Sequence, residues 1–203
     1  VKAVIDADLY GTPAKLDEIA AICEKHSVPL IEDAAESLGA VYEEKKSGTF
    51  GRLNVISFNG NEISSGTSGG MRLSDDEALI AKAKFLSTQA RDPAPWYQHS
   101  EIGYNYRMSN LIAGVARGQM YHIDEHCAMK KEIRRRYEEG LKDFPVTINP
   151  IPENAEANCW LTCITINEEA FGEGSGKATP EKIRKTLELC NAESRPIWKP
   201  MHV

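Results

Sequence analysis

Two short apolar runs in the first third of the chain each lead into side chains that can hold or move a proton. The first, Leu30-Ile31, closes on Glu32-Asp33-Ala34-Ala35-Glu36. The second, Val55-Ile56-Ser57-Phe58-Asn59-Gly60-Asn61-Glu62, runs into Gly66-Thr67-Ser68-Gly69-Gly70-Met71. Both runs have contiguous rather than alternating apolar residues, as expected of short strands buried on both faces. Asp33, at the end of one such strand, is placed for acid–base work or simply to cap the segment that follows. Glu62 can accept and return a proton. It cannot form an imine with an aldehyde, because that needs an amine.

Two more segments complete the pattern. Arg91-Asp92-Pro93-Ala94-Pro95-Trp96-Tyr97 leads into Gly103-Tyr104-Asn105-Tyr106-Arg107-Met108-Ser109-Asn110, and Ser194-Arg195-Pro196-Ile197-Trp198-Lys199-Pro200-Met201-His202 nearly ends the chain. In this order the four segments resemble the pyridoxal-phosphate core of the DegT/StrS family of sugar aminotransferases. They cover nearly all of the 203 residues. The resemblance implies an α/β fold: part of a PLP-dependent transferase (fold type I) large domain with a parallel-rich sheet, plus a smaller α+β C-terminal domain. In that family the first strand ends in E-D-A-A and the second in S-F-x-x-x-K, whose lysine binds the cofactor covalently. Glu62 occupies the lysine position, so family membership and family chemistry separate at one residue. Lys45, Lys46 and Lys82 fall outside the motif.

The same resemblance implies roles for other positions. Asp33 matches the carboxylate that keeps the cofactor's ring nitrogen protonated, so that the ring can act as an electron sink. Glu36 lies where relatives place a group near the ring hydroxyl; a glutamate there favours a protonated phenol or has a shifted pKa itself. Ser57 matches a phosphate-binding serine. Asn105 matches an asparagine reaching the phosphate from a neighbouring subunit, which would make the site depend on a homodimer. Tyr106 and Arg107 look like substrate-facing residues of the same loop, and Arg195 and His202 like groups contacting a nucleotide-sugar. These four read equally well as ordinary surface residues. The implied reaction moves an amino group from glutamate to a nucleotide-linked keto-sugar. The other reading is a non-catalytic remnant that binds a nucleotide-sugar or pairs with an active paralogue. Glu62 favours this second reading for the chain alone.

Bulk properties narrow the field. Thirty acidic and 24 basic residues give a net charge of −6, with no basic block, which argues against nucleic-acid binding. The densest basic stretch, Lys130-Lys131 and Arg134-Arg135-Arg136, is interleaved with Glu132, Glu138 and Glu139 and reads as a solvated helix face. No apolar run approaches the roughly 20 residues needed to span a bilayer. Five cysteines without a C-x-x-C pair suggest reduced thiols and a cytoplasmic protein. Cys159 and Cys163 read as core residues on one face of a strand rather than as metal ligands. The chain begins without methionine, inside a strand, at about half the length of the family's full members; it reads as a fragment or a short gene product. Those members take the ring-stacking aromatic and a phosphate-cradling helix start from their N-terminal half.

The elements that must position these residues are legible in outline. Strands are expected near 1–5, 29–32, 54–58 and 69–73, with a helix over 14–26 carrying Leu16, Ile19, Ala20 and Cys23 on one face. Ser74-Asp75-Asp76-Glu77 predicts a capped helix to about Leu86, and Ser109 caps another bearing Leu111, Ile112, Val115, Ala116 and Met120. Residues 87–106 read as an ordered loop. A long helix over 123–144 leads to a strand over 158–166, a helix from Thr179-Pro180 to Cys190, and a last strand before Arg195. The glycine-rich stretch 172–176 reads as a surface loop. The expected division is 1–122 for the large domain and 123–203 for the small one.

Overall fold

The alternation of strand and helix begins at Val4–Ala7 (β1), continues through α1 (Leu16–Lys25) and returns at Leu30–Asp33 (β2). The computed structural model describes residues 1–171 and 177–200. After β2 a tight hairpin, β3 (Val41–Tyr42) and β4 (Lys45–Lys46), precedes β5 (Leu53–Ser57) and β6 (Gly70–Leu73). Helices α2 (Glu77–Ser87), α3 (Asn110–Met120) and α4 (Ile123–Leu141) follow. Short strands β7 (Val146–Ile148), β8 (Ala155–Glu156) and β9 (Ile164–Ile166) and helix α5 (Pro180–Leu189) complete the set.

The principal sheet has the order β1-β2-β5-β6. The first three strands are parallel, with Ala7 opposite Asp33 and Asp33 opposite Val55. The fourth runs antiparallel to β5, so the expected strand near 69–73 forms but reverses direction. Burial alternates along β2 and β5 rather than running contiguously: Leu30, Ile56 and Phe58 are inside, Ile31 and Val55 are half-buried, and Leu38, Ile63, Ala116, Cys127 and Trp160 join Ile56 and Phe58 in one cluster. Helix α1 seats Leu16 and Cys23.

Two compact units divide the chain, one built from Val1–Glu132 with Ile151–Leu161, the other from Ile133–Pro150 with Thr162 onward. In the second, β7 pairs antiparallel with β9. Arg134 bonds Glu138 and Asn149, and Arg135 bonds Glu139, so these two arginines of α4 each have a glutamate partner one turn on.

Several local expectations change. The cap of α2 is Asp76, whose carboxylate accepts from the Leu79 N–H at 3.0 Å; Ser74 instead accepts from the Asp76 N–H and donates to Arg52. Ser109 does cap α3, accepting from the Ile112 N–H. The strand expected over 158–166 contracts to Ile164–Ile166, because Cys159 turns to a φ of +56° and the Asn158 side chain folds inward. Cys159 and Cys163 therefore do not share a strand face. Among the described residues, the last strand expected just before Arg195 does not form. The expected loop at 172–176 lies outside the described residues. All five cysteines are free thiols. Among the described residues no helix is long and apolar enough to cross a membrane.

Candidate active site

Parallel pairing puts the C-terminal ends of β1, β2 and β5 side by side, and each of those ends delivers acidic or hydroxyl groups. Open α/β sheets bind their ligands outside this edge. From β1 come Asp6 and the buried Asp8; from β2, Asp33 and then Glu36; from β5, Ser57 and then Glu62. A cavity of about 30 Å³ opens here, lined by Ala7, Asp8, Leu9, Asp33, Ala35 and Glu36. It is sized for about one water molecule.

Four of these carboxylates are harder to ionise than usual. Burial first, then the charges of Glu36 and Asp33, raise the Glu62 pKa to about 7, against the nearby Ser57 hydroxyl, which favours the ionised form. Its Oε2 is buried without a hydrogen-bond partner. Burial also raises Glu36, against a 2.5 Å bond from the Tyr10 N–H. Asp6 is pushed up to about 6 by burial and then by Asp8, and its Oδ2 likewise lacks a partner. Asp8 is raised by burial, although the Ser37 hydroxyl (2.6 Å) and the Ala14 N–H (3.1 Å) both donate to it. The charge of Asp33 acts on all four, while its Oδ1 accepts from the Ala35 N–H at 3.1 Å. The strongest influences on these groups are burial, hydrogen bonds and one another; none is a cation.

Of the residues singled out in the sequence, Asp33, Glu36, Ser57 and Glu62 thus meet in one place. Ser57 lies close enough to Glu62 to favour its ionised form, and its oxygen accepts from the Asn59 N–H at 3.1 Å. Asn105, Tyr106 and Arg107 are exposed on the loop before α3. Asn105 forms an isolated bridge with Thr88, and the Tyr106 ring stacks on Tyr104 at 5.0 Å. A Cβ on Gly103 would lie 2.2 Å from the Gln89 carbonyl carbon, so this loop is pressed against residues 89–90. Among the described residues no hydrogen bond joins it to the carboxylates. Arg195 belongs to the second unit, is exposed, and donates to Glu193 at 2.6 and 2.8 Å. His202 lies outside the described residues.

Two residues that brace the site escape the sequence reading. Asn158, wholly buried, donates to the Glu36 carbonyl (2.7 Å) and the Leu38 carbonyl (3.0 Å) and accepts from the Trp160 N–H (2.8 Å). The Trp160 indole N–H donates to the Asn61 carbonyl at 2.7 Å, one residue before Glu62. The available signal was an asparagine at the start of an otherwise strand-like stretch.

The DegT/DnrJ/EryC1/StrS aminotransferase family model matches residues 1–203. The chain belongs to this family. It is 48% identical over 203 residues to EpsN of Bacillus subtilis (strain 168), a protein named among the pyridoxal phosphate-dependent aminotransferases; the match takes in 99% of the chain and 50% of EpsN. GDP-perosamine synthase of Caulobacter vibrioides is 34% identical, across 100% of the chain and 53% of that enzyme. Among solved structures, a DegT DnrJ EryC1 StrS aminotransferase from Brucella abortus superposes with a TM-score of 0.83 at 25% identity, covering 100% of the chain and 51% of its own. The chain therefore spans about half the length of the relatives it matches.

Pyridoxal phosphate is the cofactor of this family, and the donor set here suits one end of it. A part-exposed carboxylate with one oxygen already engaged, as at Asp33, suits a protonated ring nitrogen. The aldehyde end does not fit. Attachment needs an amine at position 62, and the structure has a carboxylate there with two more acidic groups beside it.

Proposed function

We propose that the chain supplies the sheet edge of a nucleotide-sugar aminotransferase site, and that Glu62 makes the site non-covalent and unable to carry out amino transfer by itself. The observation that carries this reading is the meeting of Asp33, Glu36, Ser57 and Glu62 beyond β2 and β5, with no amine among them. In this reading Asp33 orients the ring nitrogen and Glu36 sits near the ring hydroxyl. Glu62 has no covalent part to play. Asn105, Tyr106, Arg107, Arg195 and His202 are proposed contacts for phosphate and nucleotide-sugar. EpsN, at 48% identity, supports the aminotransferase reading, and GDP-perosamine synthase, at 34%, supports a nucleotide-linked sugar as the ligand class.

The test is borohydride reduction with pyridoxal phosphate, followed by peptide mass mapping. The wild-type protein is expected to show no lysine labelled in stoichiometric yield and no amino transfer from glutamate to a nucleotide-linked keto-sugar. Glu62→Lys is expected to gain a label at position 62 without recovering turnover. High-yield labelling of one lysine in the unaltered protein, or its turnover of such a sugar, would refute the reading.

We further propose that a second copy covers α3. Leu111 is 78% exposed and Val115, one turn on, is exposed as well, while Ile112 is half-buried and Ala116 buried. An apolar strip of this kind marks a contact surface. Leu111→Asp is expected to shift the protein from dimer to monomer in sedimentation velocity at micromolar concentration. A wild-type monomer would end this idea.

A further inference from the structure

Building on the cofactor-site reading above, we propose that the Glu62 carboxylate selects the amine form of the cofactor, pyridoxamine 5′-phosphate, over forms that carry no ammonium at the same exocyclic carbon. In that reading position 62, where relatives carry the lysine, is where that carbon would lie. The protein presents an acceptor there: Glu62 Oε2 is buried and lacks a donor. Glu36 and Asp33 add negative potential from β2, and no cation is among the strongest influences on Glu62. A buried acceptor left without a partner is costly, and a charged donor restores more than a neutral one. A primary ammonium brings three donors and the missing positive charge. An aldehyde brings only another acceptor, and finds no amine to react with. The residue that removes covalent attachment is thus complementary to the aminated ligand.

Equilibrium dialysis of the purified protein against pyridoxamine 5′-phosphate and 4′-deoxypyridoxine 5′-phosphate tests this. The two ligands share ring nitrogen, hydroxyl and phosphate and differ only in the ammonium, and neither reacts with surface lysines. Pyridoxamine phosphate is expected to bind at least about tenfold tighter, the scale of one charge-assisted hydrogen bond. In Glu62→Gln the ratio is expected to fall to about twofold or less; Glu62→Ala gives the same readout where the glutamine variant does not fold. Equal binding of both ligands by the wild type overturns the selectivity and leaves the cofactor site standing. Binding of neither overturns the site and the selectivity together. A preference that persists unchanged in both variants assigns it to another group and also overturns the proposal.

Discussion

Asn158→Ala is expected to lower the unfolding free energy by about 3–5 kcal/mol, since it strips partners from three buried backbone groups at once. The side chain is wholly buried and ties the Glu36 and Leu38 carbonyls to the Trp160 N–H. Its own N–H donates to the Gly11 carbonyl at 3.1 Å. The fit is close: Gly11 has a φ of +82°, and a Cβ there would lie 1.9 Å from Asn158 Oδ1. Alanine removes both donations and the acceptance, and leaves a gap that Gly11 is too small to fill. Asn158→Asp keeps the shape and the acceptor but replaces the amide donor with a buried charge facing two carbonyls, so it is expected to be at least as damaging near neutral pH. Urea unfolding followed by tryptophan fluorescence measures both. The consequence reaches the site because Asn158 positions the Glu36 backbone and Trp160 positions Asn61. A loss below about 1 kcal/mol for Asn158→Ala would show that water replaces the amide and that the brace is not structural.

Much of this architecture follows from short-range signals. Contiguous apolar residues before Asp33 and Ser57 marked β2 and β5, and the Ser109 hydroxyl with the apolar positions after it marked α3. The convergence of Asp33, Glu36, Ser57 and Glu62 was legible only through the motif resemblance. It depends on which strands are neighbours, and periodicity does not report strand order. Asn158 was missed for the same kind of reason. Its partners are 120 and 122 residues away, and a polar residue in a strand-like stretch carries no local mark of where its amide will turn. The β3–β4 hairpin was missed because its turn residues, Glu43 and Glu44, both take positive φ (46° and 65°), a conformation usually announced by glycine or asparagine. The cap of α2 moved two residues, from Ser74 to Asp76, because Ser74 is engaged by Arg52.

The acidic edge should also make stability depend on pH in an unusual direction, and Glu62→Gln should remove part of that dependence. A carboxylate whose folded pKa lies above its ordinary value binds its proton more tightly in the folded protein than in the unfolded chain. For Glu62 the two values are about 7 and 4.5. Its contribution to stability is therefore fully present below about pH 4.5, declines as pH rises and is gone above about pH 7. Asp6, at about 6 against 3.8, acts in the same sense over a lower window, and Asp8, Glu32 and Glu36 are raised as well. Asp17, Asp76 and Glu181 are lowered and act in the opposite sense, so the wild-type curve alone does not isolate one group. The difference between wild type and variant does. Glutamine matches the shape of the protonated acid and never ionises. The two proteins are expected to be equally stable near pH 4.5, and Glu62→Gln is expected to be about 1–2 kcal/mol more stable at pH 8, a figure reduced for the part of the side chain that solvent reaches. Chemical denaturation at a series of pH values gives this difference directly. A gap that stays constant across the range would mean that Glu62 titrates as an ordinary surface glutamate and that the carboxylates beyond β2 and β5 do not act on one another.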